Sequence, residues 1–189
     1  MRSYLATVEE AWHAERRFTA RTDFSQAVAV GLHRVLAYKD EYEVARLLTA
    51  PGFAASIRDE MPSMKRVRFQ LHPPLLRALG LRRKISLGPA GRPILTVMAR
   101  LRFLRGTPFD PFGYARVRRV ERALAREYTA LVSSLASMLD SENYEYAVAV
   151  ASAIELVRGY EGIKLANVEH YRARLAELRA RGDAVTEAG

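Results

Sequence analysis

The sequence predicts a mainly helical fold with one small β-ribbon set into its middle, and three observations carry that prediction. Apolar residues recur at three- and four-residue spacing through most of the 189 residues, the period of an amphipathic helix. Capping residues and prolines stand at the ends of those periodic stretches. At residues 66–71 the pattern switches to alternation, the period of a strand, and residues 84–88 offer a weaker second strand. At this length a single domain, residues 1–189, is expected.

Taken in order, Tyr4, Leu5, Val8, Trp12 and Glu15–Arg16 fit a first helix ending near Ala20. Asp23 and Gln26 have capping-box spacing, and Phe24, Ala27, Val28, Gly31, Leu32 and Val35 follow with helical period. Asp40 and Glu43 repeat that spacing before Val44, Leu47 and Leu48, flanked by Tyr38 and Tyr42 as candidates to seal the corner. Pro51 suits the first turn of a short helix towards Met61, which Pro62 stops. Val67, Phe69 and Leu71 alternate with Arg66, Arg68 and Gln70, and His72-Pro73-Pro74 ends that strand. Lys84 to Gly88 is a weaker second strand, with Leu75 to Leu81 as the connection of an antiparallel ribbon.

Helix returns at Arg92-Pro93 and runs to about Leu104. The stretch GTPFDPFGY (106–114) then breaks regular structure, and Phe109, Phe112 and Tyr114 are expected to pin it to the body. The longest helix spans about Arg116 to Leu139. Val117, Val120, Leu124, Tyr128, Leu131, Leu135 and Met138 share one arc, and Arg118, Arg119, Arg122 and Arg126 lie opposite. Asp140-Ser141 should cap the next helix, whose Ala147, Ala149, Ala151 and Ala153 permit close packing. A last helix carries Val168, Tyr171, Leu175 and Leu178 on one face, ends at Arg181-Gly182 and leaves 183–189 as a frayed tail.

Charge is concentrated in the middle. Between Lys65 and Arg126 stand sixteen Lys and Arg against two acids, Asp110 and Glu121, a net of +14 within a chain of +9. Such a stripe points to an anion, whether nucleic acid, a phosphorylated ligand or an acidic protein; a solvated face is the bland alternative, and on residue chemistry nucleic acid and protein docking stand level. The absence of cysteine excludes disulfides, thiolate nucleophiles and thiolate-held clusters from this chain. His13, His33, His72 and His170 show no metal-ligand spacing, and neither HExxH, GxSxG nor a phosphate-binding GxxxxGK[ST] occurs. Asp40, Glu41 and Glu43 resemble paired carboxylates, but capping and the helix dipole explain them better. Asp110, alone among arginines, reads as a structural ion-pair partner or a cap for the helix after Gly113. The N-terminus lacks the apolar core of a signal peptide, and no apolar run approaches a membrane span, so a cytoplasmic protein without membrane attachment is expected.

Three strings stand together in order: YKDEYEVARL (38–47), GTPFDPFGY (106–114) leading into RRVER (118–122), and RGYEGIK (158–164). With VRFQLHPPLL (67–76) between them, they resemble the C-terminal region of the bacterial indolepyruvate ferredoxin oxidoreductases, of the 2-oxoacid:ferredoxin oxidoreductase superfamily. The likeness extends from about Tyr4 to Leu178. It implies a parent enzyme that decarboxylates aryl 2-oxoacids and passes electrons to ferredoxin, using thiamine diphosphate and iron–sulfur clusters. Those cofactors are expected only in other domains, so no catalytic, cofactor-binding or metal-binding residue carries over to this chain. The resemblance makes it an accessory C-terminal module, as a fragment or a detached homologue. Its expected docking surface is Arg118, Arg119, Arg122 and Arg126 with Arg100, Arg102 and Arg105. The partner would be the catalytic domains of the parent enzyme or an acidic electron carrier such as ferredoxin. Tyr38, Asp40, Glu43, Asp110 and Tyr114 are the expected structural motif.

Overall fold

The computed structural model describes residues 2–37, 40–63, 68–71, 85–88, 91–159 and 161–187. It is mainly helical. The elements are α1 (Arg2–Arg16), α2 (Asp23–Leu36), α3 (Glu41–Thr49), α4 (Pro51–Glu60), β1 (Phe69–Leu71), β2 (Ile85–Leu87) and α5 (Arg92–Arg100). A 3₁₀ turn at Leu101–Leu104 precedes α6 (Arg116–Ser137), α7 (Tyr144–Ser152), a second 3₁₀ turn at Ala153–Leu156, and α8 (Glu161–Glu187). The chain divides into two compact units, Met1–Tyr38 with Val120–Gly189, and Lys39–Arg119.

In the first unit α1 packs on α2 and α2 on α7, while α8 packs on α7 and on the second 3₁₀ turn. The close α2–α7 packing follows from small residues, with Ala147 and Ala151 fully buried. Phe24, Val28, Leu32 and Val35 of α2 join Leu124, Tyr128, Val132 and Ala136 of α6 and Val168, Tyr171 and Leu178 of α8 in one core. On α6 the buried row is therefore 124, 128, 132 and 136. Leu131 and Leu135 are only half-buried and Met138 is 61 % exposed, because a straight helix rotates away from any fixed seven-residue stripe. On α1 the core face is Ala11 and Ala14, with Leu5 and Trp12 in solvent.

Tyr128 reaches through this core and donates its single hydroxyl proton to the Ala151 carbonyl at 2.9 Å, with the Ala27 carbonyl as the alternative acceptor at 3.3 Å. Gly31 makes room for it. A Cβ at that position would stand 2.0 Å from the phenolic oxygen.

The start of α2 is capped differently from the expected box. Thr22 precedes the helix without a side-chain cap, and Asp23 is already helical. The Glu15 carboxylate, fully buried at the end of α1, accepts from Phe24 N at 2.8 Å, Ser25 N at 3.1 Å and Ser25 Oγ. It also accepts from the Tyr144 hydroxyl at 2.6 Å. A carboxylate from a neighbouring helix thus satisfies the orphan donors that Asp23 was expected to serve. At the C-terminus of α6, Arg17 donates to the Ala136 carbonyl, where cations suit the helix dipole.

Asp140 does accept from the Glu142 and Asn143 amides, but the turn they form delays α7 to Tyr144. The last helix runs past Gly182 to Glu187, beyond its expected end. One glycine costs about 1 kcal/mol in a helix interior, too little to stop a long one. Before α8, Gly159 takes φ +87°, a conformation that favours glycine.

In the second unit α3 packs along α5, with Tyr42, Ala45 and Leu95 buried. Pro51 opens α4 as expected. Strands β1 and β2 pair antiparallel, Phe69 opposite Leu87, Gln70 opposite Ser86 and Leu71 opposite Ile85. Val67, the His72-Pro73-Pro74 stop, the Leu75–Leu81 connection and Lys84 lie outside the described residues. The helix expected from Arg92 to Leu104 is α-helical to Arg100 and 3₁₀ thereafter.

Candidate docking surface

Of the expected structural motif, Asp40 and Glu43 stand at the N-terminus of α3, and Asp110 reaches the same helix through Tyr42. Asp40 is the N-cap, extended in backbone, and its carboxylate accepts from the Glu43 amide at 2.8 Å. Glu43 turns its own carboxylate to Arg46, at 2.6 and 2.9 Å, instead of reaching back to close the box. Those bonds, with the nearby charges of Arg105 and Arg102, hold the Glu43 carboxyl below its ordinary range. The Arg105 guanidinium grips Asp40 with two nitrogens, at 2.5 and 2.8 Å, the forked geometry arginine favours. Arg118 pairs with Glu41 at 3.2 Å, with both side chains largely withdrawn from solvent.

Asp110 is buried and organises the loop before α6. It accepts from Gly106 N at 2.9 Å, Phe112 N at 3.2 Å and the Tyr42 hydroxyl at 3.1 Å. Gly106 takes φ +76°, which lets its amide turn to that carboxylate. Phe112 stacks edge-on against Tyr42 with centroids 5.2 Å apart. Burial first, and the Asp110 charge second, push the Tyr42 phenol up to about 12. The expectation that three aromatics pin this loop needs correction. Phe112 does so, but Phe109 is 80 % and Tyr114 62 % exposed, and Tyr114 bonds only within the loop, to the Pro108 carbonyl at 2.6 Å. The buried carboxylate holds the loop through main-chain donors, which frees those two rings from the core. Tyr38 lies outside the described residues.

The seven arginines of the expected surface fall into two groups. Arg105 and Arg118 are engaged by Asp40 and Glu41, and Arg122 is half-buried. Arg100 at the end of α5, Arg102 in the 3₁₀ turn, and Arg119 and Arg126 on α6 are exposed. Arg126 also borders a shallow apolar hollow of about 380 Å³ with Leu36, Ala125, Thr129, Ala130 and Ser133. The two acids of the basic middle are withdrawn from the surface: Asp110 is 3 % exposed, and Glu121, 6 % exposed, accepts from Lys164 at 2.7 Å. Among the described residues no three His, Asp or Glu side chains are grouped to hold a metal ion, and no helix is long and apolar enough to cross a membrane.

The model of a family of unknown function, DUF6537, matches residues 2–177, a span that takes in the second compact unit, most of the first and the Asp40–Asp110 network. The chain belongs to the DUF6537 family. No curated protein and no solved structure matches it. The residues of this DUF6537 chain that sequence reasoning overlooked are Glu41 as a buried partner of Arg118, Glu15 as a remote cap, and Phe103, which is 70 % exposed. No local pattern signals them, since each depends on what a distant element places nearby.

Proposed function

We propose that this chain is a non-catalytic accessory module that docks an acidic protein surface, related to the C-terminal region of the indolepyruvate ferredoxin oxidoreductases. One observation carries the reading: Arg100, Arg102 and Arg119 in the second unit, and separately Arg126 in the first, are exposed in a stretch whose own two acids, Asp110 and Glu121, are buried. Exposed arginines suit complementary association with an acidic partner. Two of the strings behind the resemblance, 38–47 and 106–114, also meet in one buried network through Tyr42 and Asp110. Shared residues of that kind support a common fold, and with it a common role as an assembly module.

The partner is the catalytic body of the parent oxidoreductase or an acidic electron carrier such as ferredoxin, in the cytoplasm. Thiamine diphosphate and iron–sulfur clusters belong to those other components. The inserted β-ribbon expected near residues 66–88 is supported, within its described residues, by the ladder of β1 with β2.

Surface plasmon resonance against ferredoxin and against the thiamine-binding domains, at low and high salt, tests the reading. Binding should weaken with salt, and reversing Arg119 and Arg126 to Glu should weaken it further. Salt-insensitive binding, or binding indifferent to the reversal, overturns it. The second reading, a nucleic-acid-binding helical domain, is favoured by the same exposed cations. Anisotropy titrations with duplex DNA and RNA at two salt concentrations would support it by a steep salt slope.

A further inference from the structure

The segment from α5 into its 3₁₀ turn presents a ridge to solvent. Ile94, Val97, Arg100 and Phe103 follow one another at three-residue steps, which sets them along one inclined row. Ile94 and Val97 are each 55 % exposed and Phe103 70 %, while Leu95, off that row, is fully buried. Arg92, Arg100 and Arg102 stand exposed on the same short segment. The only acid between residues 91 and 119 is Asp110, and it is buried in its loop. Glu43, whose carboxyl feels Arg102 and Arg105, is tied to Arg46.

We propose that Ile94, Val97 and Phe103, with Arg100 and Arg102, form a docking face for an acidic amphipathic segment of a partner protein. The proposal rests on the docking reading above and names its anchors. Aromatic and aliphatic side chains at the centre with arginines among them are the composition of a protein interface core, where a few anchors carry most of the energy. Charge complementarity selects an acidic partner. A second copy of this chain is disfavoured, because the same face would set Arg100 and Arg102 against their counterparts. Nucleic acid is disfavoured too, because Ile94 and Val97 are aliphatic and leave Phe103 as the single ring of the row, whereas single-strand binding stacks successive bases on several.

The test uses the full chain and three labelled probes in fluorescence anisotropy. One is a glutamate-rich helical peptide carrying Leu and Phe at helical spacing. The second has equal length and charge, with those apolar positions changed to Gln. The third is polyuridine RNA. The first peptide should bind, and the second should bind roughly tenfold more weakly or worse, the scale of losing a buried anchor. Phe103→Ala and Val97→Ser should each weaken the first peptide to a similar degree, with unchanged circular dichroism. Leu5→Ala, at a site 59 % exposed in the other unit, should not. Equal binding of the two peptides, tighter binding of the RNA, or indifference to both ridge substitutions overturns the proposal. If Arg100→Glu with Arg102→Glu releases the peptide while the ridge substitutions do not, electrostatic docking survives and the apolar ridge does not. If neither peptide binds at low salt, the ridge proposal falls, and the salt-dependent binding test given above then decides the docking reading separately.

Discussion

Tyr42 donates its hydroxyl to Oδ1 of Asp110 at 3.1 Å, joining the first turn of α3 to a loop sixty-eight residues later in the chain. The same carboxylate accepts from the Gly106 and Phe112 amides. Asp110→Ala should therefore strand three donors, each costing about 1–3 kcal/mol if buried and unsatisfied. Tyr42→Phe removes one bond and should cost about 1 kcal/mol. Chemical denaturation of both single variants and the double variant measures this. A melting temperature unmoved by Asp110→Ala would show that the loop is held by something else.

Glu15 should be among the most sensitive positions of the first unit. Its carboxylate serves the Phe24 and Ser25 amides and the Tyr144 hydroxyl from a fully buried position. Glu15→Ala should lose about 3 kcal/mol or more, since several buried donors lose their acceptor together. Glu15→Gln keeps one acceptor oxygen and should lose less. Equal losses in the two variants would show that packing, and not hydrogen bonding, is what Glu15 supplies.

Gly31→Ala should destabilise by about 1–3 kcal/mol, the usual range for overpacking a close-packed core. The new methyl would meet the Tyr128 hydroxyl at 2.0 Å and Ile154 Cγ2 at 2.8 Å. Tyr128→Phe in the Gly31→Ala background should recover part of that loss, because the nearest clashing atom is gone. Purely additive effects in the double-variant cycle would contradict the contact.

Alkaline pH should unfold the protein. Burial first pushes the phenols of Tyr42, Tyr144 and Tyr171 up to about 12, aided respectively by Asp110, Glu15 and Glu127. Tyr128 shifts upward for the same first reason. An unfolded phenol ionises near pH 10, by its reference value. A raised folded value therefore contributes stability in full below about pH 10, and that contribution is lost as pH climbs through about 12. Denaturation midpoints should fall across this window, with tyrosinate absorbance rising as helical signal is lost. Full ionisation of all nine tyrosines near pH 10 with the helices intact would refute the burial of these phenols.

The difference between what was legible and what was not is visible at single residues. Asp40 was readable as a cap because its partner, the Glu43 amide, lies three residues away. Val168, Tyr171 and Leu178 were readable as core because one helix sets their spacing. The cap on α2 was misread, because Glu15 arrives from the preceding helix and displaces a local box that looked complete. Phe109 and Tyr114 were misread as anchors for a similar reason. Their hydrophobicity was plain, but the Asp110 carboxylate already held the loop.

For the arginines the division is sharper. Composition and helical period determined that the middle of the chain is basic and that Arg118, Arg119, Arg122 and Arg126 share an arc of one helix. The sequence by itself likewise determined the helical class, most element boundaries and the lack of thiol chemistry. Only the tertiary structure decided which cations are spent internally, Arg105 on Asp40 and Arg118 on Glu41, and which are left exposed, Arg100, Arg102, Arg119 and Arg126. The physical reason is reach. Periodicity fixes the direction of a side chain on its own helix, whereas a salt bridge forms only where another element delivers a carboxylate within a few ångströms.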